Sequence, residues 1–479
     1  MLMLRPMRIA IGKRLRCCAV LMLLASLAGC GLLSGGVERA KAYAEHVGGI
    51  GRYGKLTEKE TQWAKIAWRY FENNTNPENG LVNGSDRTPT FSMWHLGDYL
   101  AALVAAREIE LIDAHEFDAR LSRVLAFLQQ MDLSEASVPG KVYNALTGKM
   151  VSYDNKPADI GWSAVETGRL LAWMRIVGER YPQYREYVDK VVFRMNFCQV
   201  IDDCGAMYGV SIENGKRNRY QEGRLGYEQV GAAGFAAWGF DARRLWREPE
   251  TETVNIYGIP VQYDARESRL SGVQTPVLTM PYVLLGMEYG FRYPGEDTAG
   301  ATDWRGMADA VYKVQALRHE REGVLTARTD YALREPPYLV YDAVFAAGYA
   351  FNTVGPDGKE YPKLAMVSTR AAFGMWVLWP GEYTDLLMRS VQTLYSAERG
   401  WFDGRMENSG AARDSIGLTT NAEILEVLLF KLKGTLLPEP GPARYLARQT
   451  ADPYDRPNRC FPAERPACVP KPQARALVP

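Results

Sequence analysis

The apolar positions of this chain fall into two kinds of segment that alternate from about residue 57 to residue 433. One kind carries an apolar stripe at helical spacing with charged residues opposite, which marks an amphipathic helix lying on a surface. Thr57–Asn73, His115–Met131, Tyr181–Phe197, Asp303–His319 and Tyr383–Ala397 read this way, and Thr57-x-x-Glu60 gives the first a capping box. The other kind is apolar on nearly every side and has to be enclosed. Phe91–Ile109, Gly161–Val177, Tyr227–Phe240, Pro281–Phe291, Ser368–Leu378 and Thr420–Lys433 belong to it. A short, poorly defined piece near Ala242–Arg247 is the weak member of the outer set.

Six enclosed helices, each paired with a more polar one and with no strict repeat length, predict an all-α fold, an (α/α)6 toroid of six inner and six outer helices. Short β-hairpin excursions interrupt it: Lys141–Tyr153 turns at Thr147-Gly148, and a long excursion covers Arg321–Pro362. The domain spans 57–435. The tail, 436–479, holds ten prolines and cannot stay helical, so it reads as a strap.

The most enclosed stretch is Glu222–Phe240, EGRLGYEQVGAAGFAAWGF, with no charge from Gln229 onward. Gly231, Ala232, Gly234, Ala236 and Gly239 allow neighbouring helices to approach closely. Glu222 and Glu228 stand at its entrance, where they either favour a helix N-terminus or perform chemistry at a rim.

Residues 1–29 read as a lipoprotein signal peptide. Arg5, Arg8, Lys13, Arg14 and Arg16 precede the apolar run Ala19–Ala28, which is short for a membrane span. Leu27-Ala28-Gly29-Cys30 resembles the bacterial lipobox, so Cys30 is expected to carry lipid, with 30–56 as a tether. Gly31 in place of Asp favours the outer membrane, and the protein is expected in the periplasm. Cys198, Cys204, Cys460 and Cys468 then form an even set in an oxidising compartment. Of three connectivities the simplest pairs Cys198 with Cys204 and Cys460 with Cys468. His46, His95, His115 and His319 are scattered and lie away from these cysteines, so neither metal ligation nor a cofactor is expected.

Composition narrows the class of ligand. Apolar content of 47% and charged content of 24% are those of a globular protein. A net charge of +1 excludes an extended phosphate-binding surface, hence nucleic acid. The 11 Trp and 27 Tyr suit sugar faces as well as cores.

In a toroid the loops leading into the inner helices line one mouth, where helix N-termini add positive potential. The residues there include Trp94, Asp98, Asp154, Asn155, Trp162, Glu166, Glu222, Arg224, Tyr227, Glu228, Tyr282, Tyr341, Asp342 and Asn421. Carboxylates, rings and amides without a Ser–His or Cys–His arrangement fit glycoside cleavage, which needs one protonated carboxyl and one carboxylate. Glu222 is the candidate acid, with Asp154 or Glu228 as its partner. Glu166 is the rival, read as a structural partner of Arg169. The remaining members of the set are candidate sugar contacts.

The runs TPTFSMWHLGDYLAALVAARE, GWSAVETGRLLAWMRIVGERYP, EGRLGYEQVGAAGFAAWG, REGVLTARTDYALREPPYLVYDAVFAAG, STRAAFGMWVLW and ERGWFDGRMENSG…LTTNAEILEVLL carry a resemblance. Over about Thr57–Lys433 the chain resembles a bacterial family labelled a domain of unknown function. That family is distantly similar to glucoamylase-like proteins, β-1,2-glucanases and the C-terminal region of cyclic β-glucan synthases among them. The resemblance implies the toroid and a β-linked glucan or exopolysaccharide as ligand. The chain departs from the family at His95, where Asp is common after the Trp, and at Val230, where an aromatic is common. If that Asp is catalytic in relatives, activity here is altered. Two alternatives stay open beside a hydrolase or transglycosidase. One is a non-catalytic polysaccharide-binding lipoprotein of an export or synthesis complex. The other is a polysaccharide lyase using Tyr220 with Arg219 or Arg224.

Overall fold

A computed structural model describes residues 51–266, 274–294, 302–437 and 458–469. The signal segment, the lipobox and Cys30 lie outside the described residues, as does most of the proline-rich tail. Among the described residues, twelve α-helices alternate as the patterning predicts. The outer set is α1 (Glu58–Asn74), α3 (Ala114–Gln130), α5 (Arg185–Phe193), α7 (Arg243–Arg247), α9 (Trp304–Glu322) and α11 (Glu382–Val391). The inner set is α2 (Met93–Glu108), α4 (Ala164–Arg180), α6 (Tyr227–Ala236), α8 (Thr279–Tyr289), α10 (Thr369–Leu378) and α12 (Leu418–Lys433).

The inner helices touch in the order α2–α4–α6–α8–α10–α12 and back to α2, which closes the ring. Each also rests on the outer helix beside it. This is the (α/α)6 toroid. The fourth outer helix, α7, is only five residues long, as its weak pattern suggests. The capping box of α1 is present: the Glu60 amide donates to Thr57 Oγ1 at 3.3 Å and the Thr57 amide to Glu60 Oε2 at 2.7 Å.

Close approach of α4 and α6 depends on glycine. A Cβ on Gly234 would lie 1.8 Å from the Gly168 carbonyl oxygen, and one on Gly168 would lie 2.3 Å from that of Gly231. No side chain fits there, so the small residues of α6 serve as the helix contact that the sequence suggests.

The connections are asymmetric. Loops 75–92, 131–163, 194–226, 248–278, 323–368 and 392–417 lead from outer to inner helices and carry every strand of the fold. The return loops, such as 109–113 and 379–381, are far shorter. One end of the toroid is therefore elaborated, and it is the end bearing the inner-helix N-termini. At Thr147-Gly148 the chain turns as expected, with Tyr143 bridging Met150, while Tyr143–Asn144 pairs with Thr90–Phe91. Hairpins Tyr208–Glu213/Lys216–Gln221 and Thr251–Ile256/Ile259–Asp264 were not anticipated. Their signals are Asn214-Gly215 and Tyr257-Gly258, all four at positive φ, as two-residue hairpin turns require.

The cysteine pairing differs from the local one. Cys198 bonds Cys460 and Cys204 bonds Cys468, with Cα–Cα distances of 5.0 and 4.7 Å. The reason is hydrophobic: Phe461 is buried against Phe193 and Phe197, with ring centroids 5.7 and 6.0 Å away. The Phe197 amide donates to the Arg459 carbonyl at 2.9 Å, and the Arg465 guanidinium to the Phe197 carbonyl at 3.1 Å. Residues 458–469 are thus a strap fastened across the segment after α5.

Candidate active site

Glu222 ends the hairpin that runs into α6, and its side chain reaches back to the start of α4. Its Oε2 accepts the backbone N–H groups of Ala164 and Val165, the latter at 3.3 Å, and the Ser163 side chain adds a further hydrogen bond. A carboxylate at a helix N-terminus satisfies orphan donors and meets a favourable dipole. Burial raises the Glu222 carboxyl above its ordinary value, and these donors pull it back.

Glu166 stands on the same helix end, with its backbone N–H donated to Ser163 Oγ at 3.1 Å. One of its oxygens meets Ser92 and the Met93 backbone; Oε2 is enclosed and has no partner. Burial first, and the adjacent Glu222 charge second, push Glu166 up to about 7. Lys141 answers both acids; burial lowers its ammonium pKa while Glu222, Glu166 and Glu213 raise it. The ammonium sits 5.5 Å over the Tyr220 ring.

Rings from several loops gather around this pair. Tyr220 and Tyr341 feel the Glu222 charge, and Tyr153 that of Glu166 and Glu222. Trp94 meets Tyr227 edge to face at 5.1 Å, and the Tyr227 hydroxyl donates to Asp330 Oδ1 at 2.7 Å. Arg370 binds Asp330 at 3.1 Å and both oxygens of Glu423 at 3.1 and 2.9 Å. Burial pushes Glu423 up to about 7 against the pull of Arg370. Trp94, Lys141, Glu166, Tyr220, Glu222, Tyr227, Asp330 and Tyr341 are all half-buried, so they form a wall that solvent reaches.

Below this wall lies a dry charge cluster. Arg169 binds Asp98 and Glu426 at 3.0 Å each and also Glu288, all four fully buried. The Trp173 indole donates to Glu288 at 2.8 Å. Burial first, and the neighbouring Glu288 charge second, raise Glu426 far above its ordinary value. Glu166 is therefore not the partner of Arg169, as its sequence position suggested.

Several other sequence candidates also belong to the framework. Asp154 is exposed and paired with Lys156 at 2.6 Å, so it does not act as the partner of Glu222. Glu228 is locked in a bridge with Arg266 at 2.7 Å, which also binds Asp264, and takes Gln221 at 3.0 Å. Asp98 serves Arg169. Asp342 is enclosed by Arg328 at 3.0 Å, Thr353 and the Met366 amide, with burial raising it to about 6. Asn421 clamps Trp401 and Gly417. Trp162 is buried and donates to the Tyr208 carbonyl, and Tyr282 is buried in the ring. Arg224 is buried against the Gly223 carbonyl, and Asn155 accepts from Asn144 at 2.8 Å inside a turn. Trp94, Tyr227 and Tyr341 do line the wall.

Nothing in the sequence marks Lys141 or Asp330 as wall residues, whereas Arg370 is legible at the mouth as an arginine inside the first turn of an apolar helix. His95 is on this face too: the Ser92 amide donates to its Nδ1 at 3.1 Å, and burial lowers its pKa. Among the described residues, no group of three metal-ligating side chains is placed to hold an ion.

The sequence matches the model of a family described as a protein of unknown function, DUF3131, over residues 62–434. No curated protein matches it. Solved structures share the fold. An endo-β-1,2-glucanase from Chitinophaga pinensis is 13% identical, with TM-score 0.54 over 78% of this chain and 93% of that one. A glucoamylase-like protein from Bacteroides uniformis is 14% identical, with TM-score 0.53 over 79% and 92%. An endo-β-1,2-glucanase from Talaromyces funiculosus is 10% identical, with TM-score 0.50 over 79% and 84%.

Proposed function

The chain belongs to the DUF3131 family, and from that premise we propose that it is a glycoside hydrolase or transglycosidase acting on a β-glucan or related exopolysaccharide. The observation that carries this reading is the Glu166–Glu222 pair. Two half-buried carboxyls share one helix end in a solvent-reached, aromatic wall, and one of them is held near 7. Glu166 is the general acid: it gives its proton to the glycosidic oxygen as the bond to the anomeric carbon breaks. Glu222, acting in its carboxylate form with Oε2 bound by the Ala164 and Val165 amides, either takes a proton from the attacking water or attacks the anomeric carbon itself. The likeness in fold to endo-β-1,2-glucanases supports the substrate class.

A lyase is disfavoured by the placing of the arginines it would need. Arg219 turns to the Gln199 carbonyl and stacks 3.6 Å over Tyr208, and Arg224 is buried. Neither is free to neutralise a uronate beside Tyr220.

The lipobox supports attachment through lipidated Cys30, on the periplasmic side of an outer membrane, where an exported polysaccharide would pass. Mass spectrometry of the membrane-extracted protein should find an acylated Cys30, and a Cys30→Ser protein should leave the membrane. For the activity, the full protein is incubated with soluble β-1,2-, β-1,3-, β-1,4- and β-1,6-glucans. New reducing ends, or altered chain lengths, that vanish in Glu166→Gln establish the reading. Binding without turnover by the parent moves the protein to the class of polysaccharide-binding lipoproteins.

A further inference from the structure

The turn Ser152–Lys156 is a small rigid object on the elaborated end of the toroid. The Asn155 amide donates to the Ser152 carbonyl at 2.9 Å, and the Ser152 amide to the Lys156 carbonyl at 2.8 Å. Asn155 takes a left-handed conformation at φ 62°, and the Asn144 side chain donates to its Oδ1 at 2.8 Å. An Asp154–Lys156 ion pair of 2.6 Å closes the turn. All of this holds one side chain in place, Tyr153, and the chain itself gains little from it. The Tyr153 ring is 78% exposed, so its apolar surface contributes almost nothing to folding.

The position of that ring is specific. Burial of its hydroxyl by the surrounding chain first, and the charges of Glu166, Glu222 and Glu213 after it, raise it well above the usual phenol range. Tyr153 in turn raises the hydroxyl of Tyr220. Tyrosines of three separate loops therefore converge on the two carboxylates. Tyr220 already has Lys141 over its ring, and Tyr341 packs against a small apolar cluster with Leu278 and Val354. Tyr153 alone of the three is exposed, on a braced turn of the loop that leads into the helix bearing Glu166.

We propose that Tyr153 is a sugar platform. A pyranose unit of the glycan stacks its C–H face on the ring, and this sets the neighbouring glycosidic oxygen over Glu166. The ligand class follows from the geometry: an equatorially substituted, β-linked chain, whose pyranose rings present flat apolar faces. The inference rests on the reading of Glu166 and Glu222 as a glycan site, but concerns a residue outside the acid pair.

The test uses the full protein, with gluco-oligosaccharides of four or more units in each of the β-1,2, β-1,3, β-1,4 and β-1,6 linkages. Binding and turnover are measured for the parent, Tyr153→Phe, Tyr153→Trp, Tyr153→Ala and Glu166→Gln. Tyr153→Ala should lose on the order of tenfold or more in affinity. Tyr153→Phe and Tyr153→Trp should stay near the parent, and Glu166→Gln should bind normally without turnover. Because the side chain is exposed, the alanine variant should melt with the parent, which separates lost stacking from lost folding. If Tyr153→Ala binds like the parent while Glu166→Gln is inactive, the platform is wrong and the hydrolase reading stands. If Tyr153→Ala weakens binding while the parent shows no turnover, the platform stands and the hydrolase reading falls. A parent that binds none of the oligosaccharides overturns both.

Discussion

Glu222 accepts the backbone N–H of Ala164, two residues before Glu166, so one carboxylate caps the helix that presents the other. The pair is thereby linked through three residues of backbone, Ala164 to Glu166, and neither acid can move far without the other. The cap also separates their roles: Glu222 has several donors, whereas Glu166 Oε2 has none.

The first prediction concerns pH. An acid must be protonated to act, and Glu166 is pushed up to about 7. Turnover should therefore fall as the pH rises through about 7. Glu222→Gln removes the second cause of that shift, so any residual activity should lose its basic limb at a lower pH. Glu166→Gln should cost about two to four orders of magnitude in turnover at any pH. A basic limb that stays in place in Glu222→Gln would refute the coupling.

The buried cluster around Arg169 gives a stability prediction. Arg169→Met leaves Asp98, Glu288 and Glu426 without their cation, and should cost roughly 3–5 kcal/mol, read as a lower denaturation midpoint. Sign matters for the pH profile. The folded pKa of Glu426 is raised from 4.5, so the native state holds a proton that the unfolded chain releases. That contribution is complete below about 4.5 and is lost as the pH rises toward the folded value. Glu426→Gln should flatten the decline of melting temperature above that pH.

Packing of α4 on α6 tolerates no added carbon. Gly234→Ala should destabilise by about 1–3 kcal/mol through forced separation of the helices. Gly215→Ala, on an exposed turn with open space around it, should show only a smaller backbone cost from its φ of 75°. Chemical denaturation of both variants checks the contrast.

For the disulfides, peptide mapping without reduction should recover Cys198 linked to Cys460 and Cys204 linked to Cys468. Recovering Cys198 with Cys204 would refute the strap. Replacing Cys198 and Cys460 together by serine should cost about 2–4 kcal/mol.

The toroid was legible because enclosure on all sides and amphipathicity leave different marks: α6 and α1 cannot be confused by pattern. The acid pair was half legible. Glu222 stood out at the mouth of the most apolar helix, but its partner depends on a side chain crossing from one loop to another helix end, which spacing does not encode. Asp154 looked suitable because loop position was all that distinguished it; in the structure it is exposed and paired with Lys156. The cysteines failed for a similar reason. Sequence proximity favoured local rings, whereas burial of Phe461 brings together segments more than 250 residues apart.

The strap has a mechanical consequence. With Cys198 joined to Cys460, a pull applied to the two ends of the chain passes through the sulfur bridge and bypasses everything between. Only α1 to α5 could be drawn out, while α6 to α12 would be shielded from tension. The shielded length is 262 residues of separation, or roughly 900 Å of extended chain. Tethered by its N-terminal end and loaded by a dragging polymer, the molecule would keep Glu222 inside the shielded part and Glu166 outside it. The active pair thus straddles the boundary between the extensible and the inextensible halves of the chain.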